Sequence, residues 1–474
     1  MVHSPFRTVV LAVALVTLAG CTSDPTRPES DTPQRRDPVD RVGTGRSEPA
    51  EPFYADFGNP EIDVLRYDLR LTWSPGERSL TATATLDIRI ARPTAVIPLD
   101  FDGGLVVDNV ALGGNLVDAT QRADDLIVPA GATLDAGTKV KLSVRYHGNP
   151  QPADAPMVRA PSLGLFTSPD GAAWAIQEPY GAFTWFPAND IPSDEAHYDT
   201  AITVPRGWAG VSSGAFLGSS RNDNGTATYR WRTVHPVATY ALAFAVGRYE
   251  LHTDTMADGL RIRYWTTAEG GAAALRRARR SPALISWLEQ RFGPYPFAYA
   301  GVVDIPARQG LETQTMITLN LGAPVEVLLH EYAHEWFGNS VTPRTWQDLW
   351  LSEGFATYVQ MMYEVDKLGA SAAEAVAHWR AVDGQLRAKH GPPGHPKPGH
   401  FASRNVYYCA ALMLHELRGE LGDERFFDMM RAWAQQHSGS HQDRQSFTSW
   451  LNGYTGRDLT ALVNRWLDSP TTPA

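Results

Sequence analysis

The residues best placed to do chemistry are His330-Glu331-Tyr332-Ala333-His334. On a helix, positions four apart project from one face. Both imidazoles can therefore reach one zinc ion while Glu331 lies beside its open position. Eighteen residues separate His334 from Glu353, which sits within Leu349-Trp350-Leu351-Ser352-Glu353-Gly354-Phe355-Ala356. A third ligand from a following helix leaves one position for water, the pattern of catalytic zinc. A structural site would use a fourth protein ligand, commonly Cys, and neither Cys21 nor Cys409 is near in the sequence. The competing account is an amphipathic helix with two histidines by accident, and the placement of Glu353 argues against it.

Two kinds of element must hold these residues. From about residue 53 to 250 the pattern has period two. Tyr67, Leu69, Leu71 and Trp73 alternate with polar residues, a Ser-Pro-Gly turn follows, and Leu80, Ala82, Ala84, Leu86, Ile88 and Ile90 alternate again. That predicts a hairpin with one buried face, and strands are further expected at 139–146, 201–205 and 240–246. After about Leu251 helical spacing is read at 272–292, 325–337, 351–368, 371–389, 406–421 and 424–436, with a short sheet around 301–321. The expected class is multidomain α+β: an N-terminal all-β domain (53–250), then a mainly helical domain (251–474) carrying the zinc motif. The stretch from His390 to His400 reads as a loop, and its His390, His395 and His400 as exposed side chains.

Composition narrows the function. The 474 residues are 43% hydrophobic and 20% charged, ordinary for a globular protein with sizeable cores. With 42 Lys+Arg against 52 Asp+Glu the chain is net acidic and has no long basic run, which disfavours nucleic acid as a partner. At the N-terminus, Arg7 precedes the apolar run from Val9 to Val16, and Leu18-Ala19-Gly20-Cys21 follows. This run is too short to span a bilayer and reads as a signal peptide over 1–21. Its last four residues resemble a bacterial lipobox, in which the Cys carries lipid; an ordinary signal peptide with an incidental Cys is the alternative. Residues 22–52 hold many prolines and charges and few branched aliphatics, the composition of a disordered tether. Membrane attachment through Cys21, on the extracytoplasmic side, is the expectation. Cys409 would then be a free thiol in the core.

The zinc motif, with His334-Glu335-Trp336-Phe337-Gly338-Asn339 and Asp348 to Ala356 around it, resembles the gluzincin aminopeptidases, the aminopeptidase N and leukotriene-A hydrolase relatives. The resemblance runs from about Tyr67 to the end. It implies a β-saddle followed by a thermolysin-like domain, one Zn²⁺ per chain on His330, His334 and Glu353, and peptide substrates. It further implies that Glu312, in Gln309-Gly310-Leu311-Glu312-Thr313, binds a substrate's free amine. This stretch departs from the family's Gly-x-Met-Glu-Asn at Gln309 and Thr313. In Ile176-Gln177-Glu178-Pro179, Glu178 matches a second amine-binding position; Gln177 is offset by one and on a strand would face the other way. In Val406-Tyr407-Tyr408-Cys409-Ala410, Tyr407 is preferred as the hydroxyl that donates to the oxyanion. Adjacent helical residues diverge by about 100°, so Tyr408 is read as a packing residue. The large C-terminal helical domain of many relatives has no counterpart before Ala474, so a more open cleft is expected.

These residues imply a zinc aminopeptidase in which Glu331 is the general base. A zinc endopeptidase and a catalytically weak peptide-binding lipoprotein are the alternatives.

Overall fold

The computed structural model describes residues 51, 53–157, 160–268, 270–307 and 310–473. The signal peptide, Cys21 and the tether read over 22–52 lie outside these, with the exception of Glu51. That residue is buried, and its carboxylate accepts the backbone N–H groups of Phe53 and Trp346, each at 2.7 Å. A buried carboxylate that accepts two backbone N–H groups belongs to the folded body, so Glu51 is not part of the stretch read as a tether.

The period-two stretch forms the predicted hairpin, Ile62–Ser74 with Ser79–Ile90, in antiparallel register with Tyr67 opposite Leu86 and Leu71 opposite Ala82. Every apolar residue named from the alternation is buried. The hairpin is the centre of a nine-stranded sheet, in which Ile62–Ser74 also pairs in parallel with Glu195–Pro205. A five-stranded sheet, containing Ala173–Ile176 and Phe244–Gly247, forms a further layer. The strand read over 240–246 is shorter than expected. Thr239–Ala241 is instead a turn of 3₁₀ helix, and only Phe244–Gly247 is strand.

The second half opens on a sheet rather than on a helix. Tyr249–Thr255, Arg261–Thr267, Tyr299–Asp304 and Ile317–Leu319 lie side by side, and the last two pairings are parallel. Helices follow: α1 (Gly271–Ala278), α2 (Ser281–Phe292), α3 (Val325–His334), α4 (Trp350–Leu368), α5 (Ala372–His390), α6 (Ala410–Leu421), α7 (Asp423–Gln436), α8 (Arg444–Thr455) and α9 (Thr460–Asp468). The single helix read over 272–292 is two, because Pro282 lacks the N–H an uninterrupted helix needs there and starts α2 instead.

Helices α3 and α4 cross in the main helical core, which includes Leu328, Leu329, Tyr332, Phe355, Tyr358 and Met413. At Gly354 a Cβ would stand 2.5 Å from the Cβ of Ala410, so α4 and α6 meet at a distance only glycine allows. The two halves also share a core: Trp346, Leu349, Phe401 and Val406 from the helical half pack among β-domain residues such as Trp185 and Tyr240. Burying one such aromatic contributes about 1.5–3 kcal/mol, which resists separation of the halves.

Candidate active site

Helix α3 presents His330 and His334 on one face, and the first turn of α4 presents Glu353 to them. Glu353 Oε2 lies 3.2 Å from His330 Nε2 and 3.4 Å from His334 Nε2. Burial alone would raise the Glu353 carboxyl, but its hydrogen bonds with the two histidines overcome that and hold it well below the usual range. Two imidazole nitrogens and one carboxylate oxygen, all within 4.8 Å of one another, fit a zinc ion in donor type and number.

The histidine orientation is set from outside the centre. His334 Nδ1 is 3.1 Å from the Phe337 carbonyl and 2.9 Å from Ser352 Oγ. A carbonyl only accepts, so Nδ1 carries the proton and Nε2 turns its lone pair to the centre. This needs the chain to leave the helix just after His334. The helical spacing read through Phe337 ends three residues early: Glu335–Asn339 is a wider turn, with Phe337 at φ −121° and Gly338 at φ 135°. A Cβ on Gly338 would come within 2.4 Å of Ser352 Oγ and 3.2 Å of His334 Nδ1. Ser352, Gly338 and the Phe337 carbonyl carry roles the sequence reading did not assign. The signal was present as a glycine four residues past the motif, directly after the expected end of the helix at Phe337.

Three more carboxylates face the centre. Glu331 is buried, and its Oε1 would lie 2.8 Å from a Cβ at Gly310, so it needs that glycine's open backbone. Burial, joined by the charges of Glu312 and Glu353 and opposed by His334, pushes the Glu331 carboxyl up to about 8. Glu312 follows Leu311, whose backbone bridges to Thr318 with N···O distances of 2.8 and 3.1 Å. Successive residues of this short extended stretch point oppositely. Leu311 and Thr313 are buried, and Thr313 Oγ1 meets Thr318 Oγ1 at 2.8 Å, while a Glu312 oxygen comes within 4.8 Å of donor atoms of Glu331 and His334. Glu178 comes from the β half, just past the strand Ala173–Ile176. Burial and then the charge of Glu312 push its carboxyl well above the usual range. Glu178 and Glu312 are 7% and 4% exposed, and Oε1 of each is buried without a hydrogen-bond partner.

Gln177 turns away from these acids. Its amide donates to the carbonyls of Thr239 (2.7 Å) and Leu242 (3.0 Å) and accepts from Trp185 Nε1 at 2.7 Å. The Tyr407 hydroxyl donates to Glu353 Oε1 at 2.6 Å, and its ring stacks 6.2 Å from that of His330. Tyr408 instead packs on Trp379 and His378, with ring centroids 6.0 and 5.9 Å away. Cys409 is buried in the core. Of the three histidines read as exposed loop side chains only His395 is exposed, lying against Asp468 at 3.0 Å; His390 is buried at the end of α5 and meets the half-buried His400 through Nδ1 atoms 2.7 Å apart. Among the described residues the groups able to hold a metal are both at the centre built on α3 and α4.

The sequence matches two family profiles in order, the Peptidase M1 N-terminal domain over 64–241 and the Peptidase family M1 domain over 311–466. Aminopeptidase M1 of Arabidopsis thaliana is 24% identical over 465 residues, covering 88% of this chain and 51% of that protein. Aminopeptidase N of Lactococcus lactis is 26% identical, covering 61% of this chain and 38% of its own length. The chain thus spans about half or less of these curated relatives. The crystal structure of an M1 zinc metallopeptidase from Deinococcus radiodurans superposes with a TM-score of 0.80 at 29% identity, covering 88% of this chain and 96% of that one. A crystal structure of a two-domain M1 zinc metallopeptidase variant bound to L-arginine matches equally well, with a TM-score of 0.80 at 29% identity. Because both halves match profiles of one family, and the three donors fall inside the second, the chain belongs to peptidase family M1.

Proposed function

We propose that this chain is a zinc-dependent aminopeptidase, removing N-terminal residues from peptides outside a bacterial cell membrane and anchored there by lipid on Cys21. The observation that carries the activity is the pair of buried, unpartnered carboxylate oxygens on Glu178 and Glu312 beside a three-donor metal centre. Buried charge without a partner is costly, and a substrate's α-ammonium is the cation that relieves it. An ammonium held there fixes the scissile bond one residue from the peptide's N-terminus. Peptides as the substrate class are supported by the Deinococcus enzyme, a variant of which binds the substrate Tyr-Ser-Ala.

His330, His334 and Glu353 would hold the zinc, which when bound would supply the Lewis acidity that makes water nucleophilic near neutral pH and polarises a carbonyl. Glu331 takes the attacking water's proton and passes it to the departing nitrogen. Tyr407 exchanges its bond to Glu353 for one to the developing oxyanion. The anchor rests on the sequence from Arg7 to Cys21; among the described residues no helix is long and apolar enough to cross a membrane.

The test is a panel of aminoacyl chromogenic amides, with free or acetylated amines, with and without chelator. Hydrolysis of the free amides, abolished by chelator, is expected. Equal cleavage of free and acetylated substrates would favour the endopeptidase reading. In cells, Cys21→Ser should release the protein from the membrane fraction; retention there would remove the anchor from the proposal.

A further inference from the structure

Glu178 and Glu312 come from different halves of the molecule, yet an ammonium shared by two carboxylates tolerates little change in their spacing. One segment lies between their carriers. Residues 236–242 comprise a short strand at Val237–Ala238 and the 3₁₀ turn Thr239–Ala241, and they are buried from Val237 onward. Gln177, the residue before Glu178, donates to the carbonyls of Thr239 and Leu242. Gln314, two residues after Glu312, reaches the same segment from the catalytic half. Its backbone N–H donates to the Ala241 carbonyl at 2.9 Å and its side-chain amide to the Pro236 carbonyl at 3.0 Å.

The grip continues on both sides. Trp185 Nε1 pins the Gln177 oxygen, so this amide uses both ends and has no freedom to rotate. Beyond Gln314, Thr315 holds the unfavourable φ of 65° for a β-branched residue. There its N–H donates to Glu335 Oε1 at 2.9 Å and its hydroxyl accepts the Gly214 N–H at 2.7 Å. Asn339 Nδ2 donates to the carbonyl of Glu312 itself at 2.8 Å.

We propose that Gln177 and Gln314 are positioning residues for N-terminal amine recognition: by gripping the 236–242 segment from opposite sides, they fix the spacing of Glu178 and Glu312. This rests on the aminopeptidase reading above and deepens it. Neither glutamine touches substrate; both act through the acid they flank. The sequence reading had noted Gln177 only as an amide displaced by one position. Its displacement is its use, because the residue that faces away from the cleft is the one able to brace the strut.

The test compares Gln177→Met and Gln314→Met, which keep side-chain length and remove the amide, with the unaltered protein. Free and N-acetylated forms of one peptide are the substrates, and zinc content and melting temperature are measured alongside. Gln314→Met is included because Gln177 is fully enclosed and its variant is the more exposed to misfolding. A small displacement of a binding group can cost up to about 10²-fold. The expected result is a rise of about 10-fold in KM for the free peptide and a smaller change in kcat. Zinc content should be unaltered, and the preference for free over acetylated substrate should fall in at least the Gln314 variant. A general loss of packing would not move that preference selectively. Retention of the full preference by a folded, zinc-loaded Gln314→Met protein would overturn the strut. Absence of any preference in the unaltered protein would instead remove the aminopeptidase reading beneath it.

Discussion

Glu331 and Glu353 are two buried carboxylates beside the same imidazoles, and their replacements should fail in different ways. Glu353 bonds both histidines and completes the donor set, so Glu353→Ala is expected to lose zinc. Glu331 is no part of that triad, so Glu331→Gln is expected to keep zinc and lose about 10²–10⁴ in kcat through loss of the base. Metal analysis beside steady-state kinetics checks both; activity retained in either zinc-loaded variant would reassign the site. Tyr407→Phe removes the hydroxyl that now bonds Glu353 Oε1 and that would serve the oxyanion. It should cost about 10²–10³ in kcat at unchanged zinc content. Tyr408→Phe, on the Trp379 side, should have little effect, and the reverse order in the two rate constants would exchange their roles. These side chains were legible because zinc chemistry constrains residue type and spacing together. Gln177 was not, because its role depends on carbonyls of Thr239 and Leu242, more than sixty residues along the chain.

Elements were legible where one face is buried and periodicity survives. The hairpin of Ile62–Ser74 and Ser79–Ile90 alternates cleanly, and α4 is buried from Trp350 through most of its length to Tyr363. Elsewhere local signals lost to tertiary demands. Helix α3 stops short of Phe337 because the Phe337 carbonyl is needed by His334. Helix α8 was missed although Asp443-Arg444-Gln445-Ser446 forms a capping box at its start; with Ser rather than Glu at its fourth position the box is easily overlooked. Helix α5 hides a stronger feature, the ion pair Asp383–Arg387 at 2.8 Å with both side chains fully buried. Arg387 Nη1 also donates to the carbonyls of Trp466 and Ser469, each at 2.9 Å, tying α5 to α9. Arg387→Ala should therefore destabilise the fold by about 3–5 kcal/mol, since it strands Asp383 and two carbonyls in the core. Urea denaturation would measure it. A loss below about 1 kcal/mol would mean that water reaches the pair.

Across the whole molecule, the junction between the halves extends to the first described residue. Glu51 joins the N-terminal segment to the Trp346 N–H, and Tyr54 donates to the Pro398 carbonyl at 3.1 Å. A chain beginning at Glu51 should melt as the longer chain does. One beginning at Phe53 leaves Trp346 N–H unsatisfied and should be less stable by about 1–3 kcal/mol, as calorimetry would show; equal melting of the two would make Glu51 dispensable. The division into a β half and a helical half was readable from periodicity, but their shared core was not, since nothing in the local pattern around Phe401 or Val406 says which half they enter. The close seating of Gly354 on Ala410 has a last consequence, for metal exchange. The helix bearing Glu353 is fixed by packing, and His334 is oriented by Phe337 and Ser352, through contacts in which no metal takes part. Unlike a zinc finger, whose fold forms only with its metal, this scaffold should survive demetallation intact. Reconstitution then becomes a docking event rather than a refolding one, and one equivalent of zinc should restore a chelated sample as fast as the ion diffuses in.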